Sequence, residues 1–161
     1  MADISEVASG GACRLAPEGR PCPAHNEEAF HYFLDLERRR ADRSHRPLLL
    51  VLTSLVPRAA PIGWRMDPAL AQKLFTGLWL CTRDADVIGW YREGRVAGAV
   101  LTQCSNGSSN HISRPIRARV TDALGVALPR SVRQTLRVHV YQLMPRTGDQ
   151  VQVPNGAIDR L

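Results

Sequence analysis

In this chain of 161 residues, Arg83 and Asp86 are the pair whose types and spacing point most directly to chemistry. A guanidinium forks onto phosphate oxygens or a guanine edge, and a carboxylate three residues on accepts from the guanine N1 and N2 donors. The same Arg and Asp could instead pair with each other or cap a junction between a helix and a strand. Chemistry that needs a divalent cation would have to draw on Asp67, Asp84, Asp86 or Glu93, because Mg2+ takes hard oxygen ligands.

Two apolar runs follow the pair and must position it. Val87 to Tyr91 and Val96 to Leu101 flank Arg92-Glu93-Gly94-Arg95, whose glycine can supply the positive φ of a tight reversal. The sequence predicts a β-hairpin. Alternation sends Asp86, Ile88 and Trp90 to one face and Val87, Gly89 and Tyr91 to the other. Both faces carry apolar side chains, which places the hairpin in the middle of a sheet.

Arg-x-x-Asp, a short apolar strand, a turn and a second apolar strand ending in Leu101-Thr102 resemble the core of a GGDEF (diguanylate cyclase) domain. In that family the turn carries Gly-Gly-Asp/Glu-Glu-Phe, and an Arg-x-x-Asp motif five residues earlier binds the product, cyclic di-GMP. Counting five residues past Asp86 puts Arg92, Glu93, Gly94, Arg95 and Val96 where the signature belongs, so the spacing survives and the signature does not. The family's first strand also carries a metal-binding aspartate, whereas this strand ends Leu52-Thr53-Ser54-Leu55. The resemblance covers about residues 30–144 and implies a degenerate domain without catalytic residues, with Arg83 and Asp86 as the cyclic-dinucleotide contacts that remain.

The other elements are read in order. Residues 1–25, rich in Gly, Pro, Ala and Ser, read as a flexible leader. Asn26 followed by Glu27 and Glu28 opens a helix to about Ser44, with Phe30, Phe33 and Leu34 as its stripe and Arg38 to Arg43 as a cationic end. Leu48 to Leu52, apolar at every position, reads as a buried central strand. Asp67 before Pro68 starts a second helix to about Thr82. A third is expected from about Ile112 to Leu124, with Pro115 in its first turn and Gly125 as its stop.

Thr135 to Met144 alternates as a strand, Leu136, Val138 and Val140 on one face and Arg137, His139 and Tyr141 on the other. Residues 146–161 form a tail in which Gln150 to Val153 reads as a short edge strand. The resulting order is an α+β, ferredoxin-like βαββαβ antiparallel sheet with helices on one face and an extra leading helix, the domain proper running over residues 26–145.

Composition narrows the function classes. No apolar run approaches the roughly 20 residues of a membrane-spanning helix, and the first residues have neither basic lead nor apolar stretch, so a cytoplasmic protein is expected. The net charge of +6 comes from arginine, with Lys73 the only lysine. Charge of this kind attracts phosphates or reflects base composition, and selects no partner alone. Cys13, Cys22, Cys81 and Cys104 lack paired spacing, and Cys13, Cys22 and His25 lack a fourth zinc ligand, so no metal or other cofactor is expected.

These readings converge on a non-enzymatic regulatory module of bacterial signalling or exopolysaccharide control. It would be a cyclic di-GMP receptor or a protein-docking adaptor, with a protein partner or a second copy bound. Two alternatives stand beside it. One is a metal-dependent nucleotidyl cyclase or transferase using Asp67, Asp84, Asp86 or Glu93. The other is a ferredoxin-like RNA-binding module using the positive charge with Trp90 and Tyr91, although the chain lacks the aromatic-rich strand motif of such modules and nucleic acid is not an expected partner.

Overall fold

The computed structural model of the chain describes residues 24–57, 60–102 and 109–146. Its elements are β1 (Ala24–His25), α1 (Glu27–Ser44), β2 (Leu48–Leu55), α2 (Pro68–Cys81), β3 (Val87–Arg92), β4 (Val96–Leu101), α3 (Ser109–Ala127), α4 (Arg130–Arg133) and β5 (Leu136–Leu143). They form a five-stranded sheet in the order β1-β3-β4-β2-β5. The β2–β4, β2–β5 and β3–β4 pairs are antiparallel, and β1 adds to β3 in parallel.

Local signals set most boundaries. The Asn26 side chain accepts from Ala29 N at 2.9 Å to start α1, and His45, at φ 53°, ends it by donating to the Ala41 and Asp42 carbonyls. Asp67 accepts from Ala69 N at 2.9 Å and Leu70 N at 3.3 Å, so α2 begins where the Asp-Pro pair predicts. All eight residues of β2 are buried, as its unbroken apolar run requires.

The sheet is covered on both faces. Packed under α2 and α3 are Leu49, Val51, Ile88, Trp90, Ala97, Ala99 and Leu101, together with Leu74, Phe75, Leu78, Val120 and Leu124 from the helices. These are the helices expected on one face. The leading helix α1 takes the opposite face, where Phe30 packs with Leu48, Leu50, Leu52, Val96 and Val100. This second layer explains why the hairpin is apolar on both sides. Its closest approach is at the paired residues Gly89 and Gly98, where the fully buried Phe30 ring lies directly on the backbone of β3 and β4. A methyl group on Gly98 would come within 2.6 Å of Phe30 Cζ. Glycine is required there for space rather than for its φ freedom.

Three further differences have physical causes. Ala24 and His25, expected in the leader, pair with Ile88 and Gly89; two residues are too few to show a period. The third helix runs from Ser109 through Gly125 to Ala127 rather than stopping at Gly125, and because it starts before Ile112, Pro115 lies inside it and not in its first turn. Continuation carries the chain to the buried Leu128, whose N donates to Leu124 O at 2.9 Å, outweighing the roughly 1 kcal/mol intrinsic cost of one helical glycine. The short α4 escapes the sequence because four residues leave no amphipathic pattern. The predicted Gln150–Val153 strand lies outside the described residues.

Candidate functional site

The sequence-predicted residues fall at two ends of β3, about 20 Å apart at the rise of a six-residue strand. At the first end α2 passes into β3. Thr82 Oγ1 donates to the Leu78 and Trp79 carbonyls at 3.0 and 3.3 Å, closing the helix, and residues 83–86 turn. Asp86 N donates to Arg83 O at 2.9 Å, and Arg83 N donates to Asp86 Oδ2 at 2.8 Å. The other carboxylate oxygen, Oδ1, accepts from Thr102 N at 3.2 Å. Asp86 therefore fastens the start of β3 to the end of β4 through two backbone amides. Arg83 is exposed, and Asp86 half-buried.

A residue that spacing did not single out joins this end. Cys81 is half-buried and its Sγ donates to Leu78 O at 3.2 Å. Burial pushes its thiol pKa up; the Arg119 charge acts to lower it and the Asp86 charge to raise it. Arg119 on α3 thus lies within electrostatic range of Cys81. Within the sequence it was one of three arginines on a helix, indistinguishable from a solvated face, because the contact depends on how α3 crosses α2.

The second end is the turn Arg92 to Val96. Arg95 N donates to Arg92 O at 3.0 Å, with Gly94 at φ 70°, the left-handed value the reversal needs. The turn is held from both sides. Glu93 N donates to Glu27 Oε2 of α1 at 2.6 Å, and Met66 N donates to Gly94 O at 2.7 Å. One residue earlier, Tyr91 O lies 2.9 Å from His31 Nε2. These contacts between α1 and the hairpin were invisible to periodicity, since they join residues 60 and 66 positions apart.

Beside the turn stand Thr53 and Ser54, paired in register with Ala97 and Val96. Both are buried, at 0% and 2% exposure, so they line the protein interior rather than an open ligand surface. Thr53 Oγ1 donates to Ala97 O at 3.3 Å, whereas Ser54 Oγ has no hydrogen-bond partner. Two hydroxyls, the Glu93 carboxylate set in sequence between Arg92 and Arg95, and the Glu27 carboxylate already accepting from Glu93 N do not fit a pair of divalent cations, which take several charged oxygens. The other acids are apart: Asp67 caps α2, Asp84 lies in the exposed turn, and Asp86 binds backbone. Among the described residues no group of three or more His, Cys, Asp or Glu is placed to hold a metal ion.

The sheet aromatics are likewise occupied. Trp90 is buried edge-on against Phe75 at 4.8 Å between centroids, and Tyr91 packs with Phe30 and His31 under α1. Base stacking on an open sheet, the basis of the RNA-binding alternative, has no exposed ring here to use. No helix among the described residues is long and apolar enough to cross a membrane.

No protein-family model matches the sequence, and no curated protein does. Among solved structures, a similar one is the diguanylate cyclase SiaD in complex with its activator SiaC, from Pseudomonas aeruginosa. The match has a TM-score of 0.54 and 17% identity, and covers 87% of this chain and 52% of that chain. The chain thus spans about half the length of that enzyme. It shares the α+β fold of a diguanylate cyclase, the GGDEF-like architecture that its hairpin and strand order resemble.

Proposed function

We propose that this chain is a degenerate GGDEF-like regulatory module that works by binding and has no nucleotidyl cyclase activity. The observation that carries this reading is the chemistry at the β2 end and the adjoining turn: two buried hydroxyls, the Glu93 carboxylate flanked in sequence by arginines, and the Glu27 carboxylate already bound to Glu93 N, where cyclisation would need several free carboxylates around bridging cations. The turn's backbone is engaged by Glu27 and Met66, which leaves it little freedom to cradle a triphosphate.

Two modes of binding follow. Protein docking is favoured by the engagement of Asp86 with backbone amides, which gives that carboxylate a structural role. A solved neighbour of the same fold is held in complex with an activator protein. Cyclic di-GMP binding is favoured by the exposed Arg83, a guanidinium suited to a phosphate ligand. Both modes belong to bacterial signalling in a cytoplasmic setting.

Isothermal titration with cyclic di-GMP at moderate salt, where loose arginine–phosphate attraction is screened, separates the two. Saturable heat that Arg83→Ala abolishes assigns the receptor mode. Absence of heat with an unshifted melting temperature leaves docking to protein as the function.

A further inference from the structure

We infer that the outer edge of β5 is a docking site for an extended acidic segment of another protein, which adds to the sheet as a sixth strand. β5 is the last strand in the sheet order, paired with β2 at all eight of its residues, and among the described residues nothing pairs with its other side. Its run Leu-Arg-Val-His-Val-Tyr-Gln-Leu holds no proline or glycine, and its register with β2 is continuous. A long regular edge presents a row of unpaired N–H and C=O groups, the template for strand addition.

Charge selects the occupant. Arg137 is exposed and His139 and Tyr141 are half-buried on one face of the strand, with the two rings stacked at 6.3 Å and 18°. Besides burial, the influences on His139 are the positive charges of Arg117 and Arg137, and no carboxylate is among them. A second copy pairing antiparallel at this edge would set Arg137 opposite an uncharged residue, Tyr141 or Leu143, and bring it no carboxylate. An incoming strand with Asp or Glu at alternate positions sets its acids toward Arg137, on the face that also carries the His139 and Tyr141 rings. Its other residues, facing the side of Val138 and Val140, extend the apolar layer beneath α3.

The inference deepens the docking reading and fails separately from it. GTP turnover would remove the docking reading, whereas loss of the interaction below removes the β5 edge alone. The probe is a fluorescein-labelled octapeptide of alternating Glu and Val, titrated by anisotropy against the full chain. A Lys-Val peptide and a Glu-Val peptide N-methylated at alternate amides are the controls.

Saturable binding of the Glu-Val peptide is expected, with little binding of either control. Arg137→Glu should weaken it about tenfold, equivalent to about 1.4 kcal/mol, with an unchanged circular-dichroism melt. No binding, or equal binding of the N-methylated peptide, overturns the inference, because strand addition needs those amides. A full chain that sediments as a dimer and becomes monomeric on Arg137→Glu also overturns it, by giving the edge to a second copy.

Discussion

Replacing Gly98 by alanine tests the two-layered packing that holds the hairpin. The added methyl would sit 2.6 Å from Phe30 Cζ and 2.8 Å from Cε1, with Leu52 Cδ2 at 3.4 Å. Carbon atoms pack best at about 3.5–4.0 Å, so the ring must withdraw by about 1 Å. Phe30 is fully buried between α1 and the sheet, so the ring has no open space to enter. Overpacking of this size costs about 1–3 kcal/mol, or roughly 2–12 °C in melting temperature for a domain of this length.

The assay is urea denaturation followed by circular dichroism in a double-mutant cycle with Phe30→Leu. Leucine lacks the Cε and Cζ atoms that meet Gly98. In the Phe30→Leu background Gly98→Ala should therefore cost at least about 1 kcal/mol less than in the parent. Equal costs in both backgrounds, within about 0.5 kcal/mol, would refute the argument that Gly98 exists to admit the ring.

Three further outcomes follow from the contacts. Asp86→Ala removes the acceptor of Arg83 N and Thr102 N and should lower stability by about 1–3 kcal/mol, whereas exposed Arg83→Ala should stay within about 0.5 kcal/mol; thermal melts compare them. Glu27→Ala deletes the carboxylate on Glu93 N, costing about 1.5–3 kcal/mol, and hydrogen exchange at residues 92–95 should quicken relative to β2. Acid should weaken the fold before its carboxylates titrate. His25, by burial, and His139, by burial and then by Arg117 and Arg137, both have pKa values below the ordinary 6.5. The unfolded chain therefore binds more protons in that window, and stability is lost as pH falls below about 6.5. Urea midpoints at about pH 7.5 and about pH 5.5 measure the slope, which His25→Gln with His139→Gln should flatten.

The elements were legible where one strong local signal set them. Asn26 and Asp67 start α1 and α2 at the positions their capping side chains predict, and the hairpin turns at Gly94 as its sequence requires. The unbroken apolar run of β2 marked it as central. What the sequence concealed depends on distant contacts. The side on which α1 lies follows from Gly89 and Gly98 facing Phe30, and neither glycine shows that partner by spacing.

At the candidate site, Arg-x-x-Asp located the junction but not the use of its carboxylate, which the end of β4 decides by bringing Thr102 N to Asp86. Arg119 comes within electrostatic range of Cys81 only through helix packing. The missing acids at Thr53 and Ser54 were plain in the sequence, but their burial beside the turn was not.

The most direct test of the binding-only account is incubation of the purified full chain with GTP and Mg2+ or Mn2+, followed by chromatography of the nucleotides. The account predicts GTP recovered unchanged at every enzyme-to-substrate ratio. Formation of linear or cyclic guanosine dinucleotide, abolished by Glu93→Gln, would contradict it and make the turn between β3 and β4 a working catalytic site.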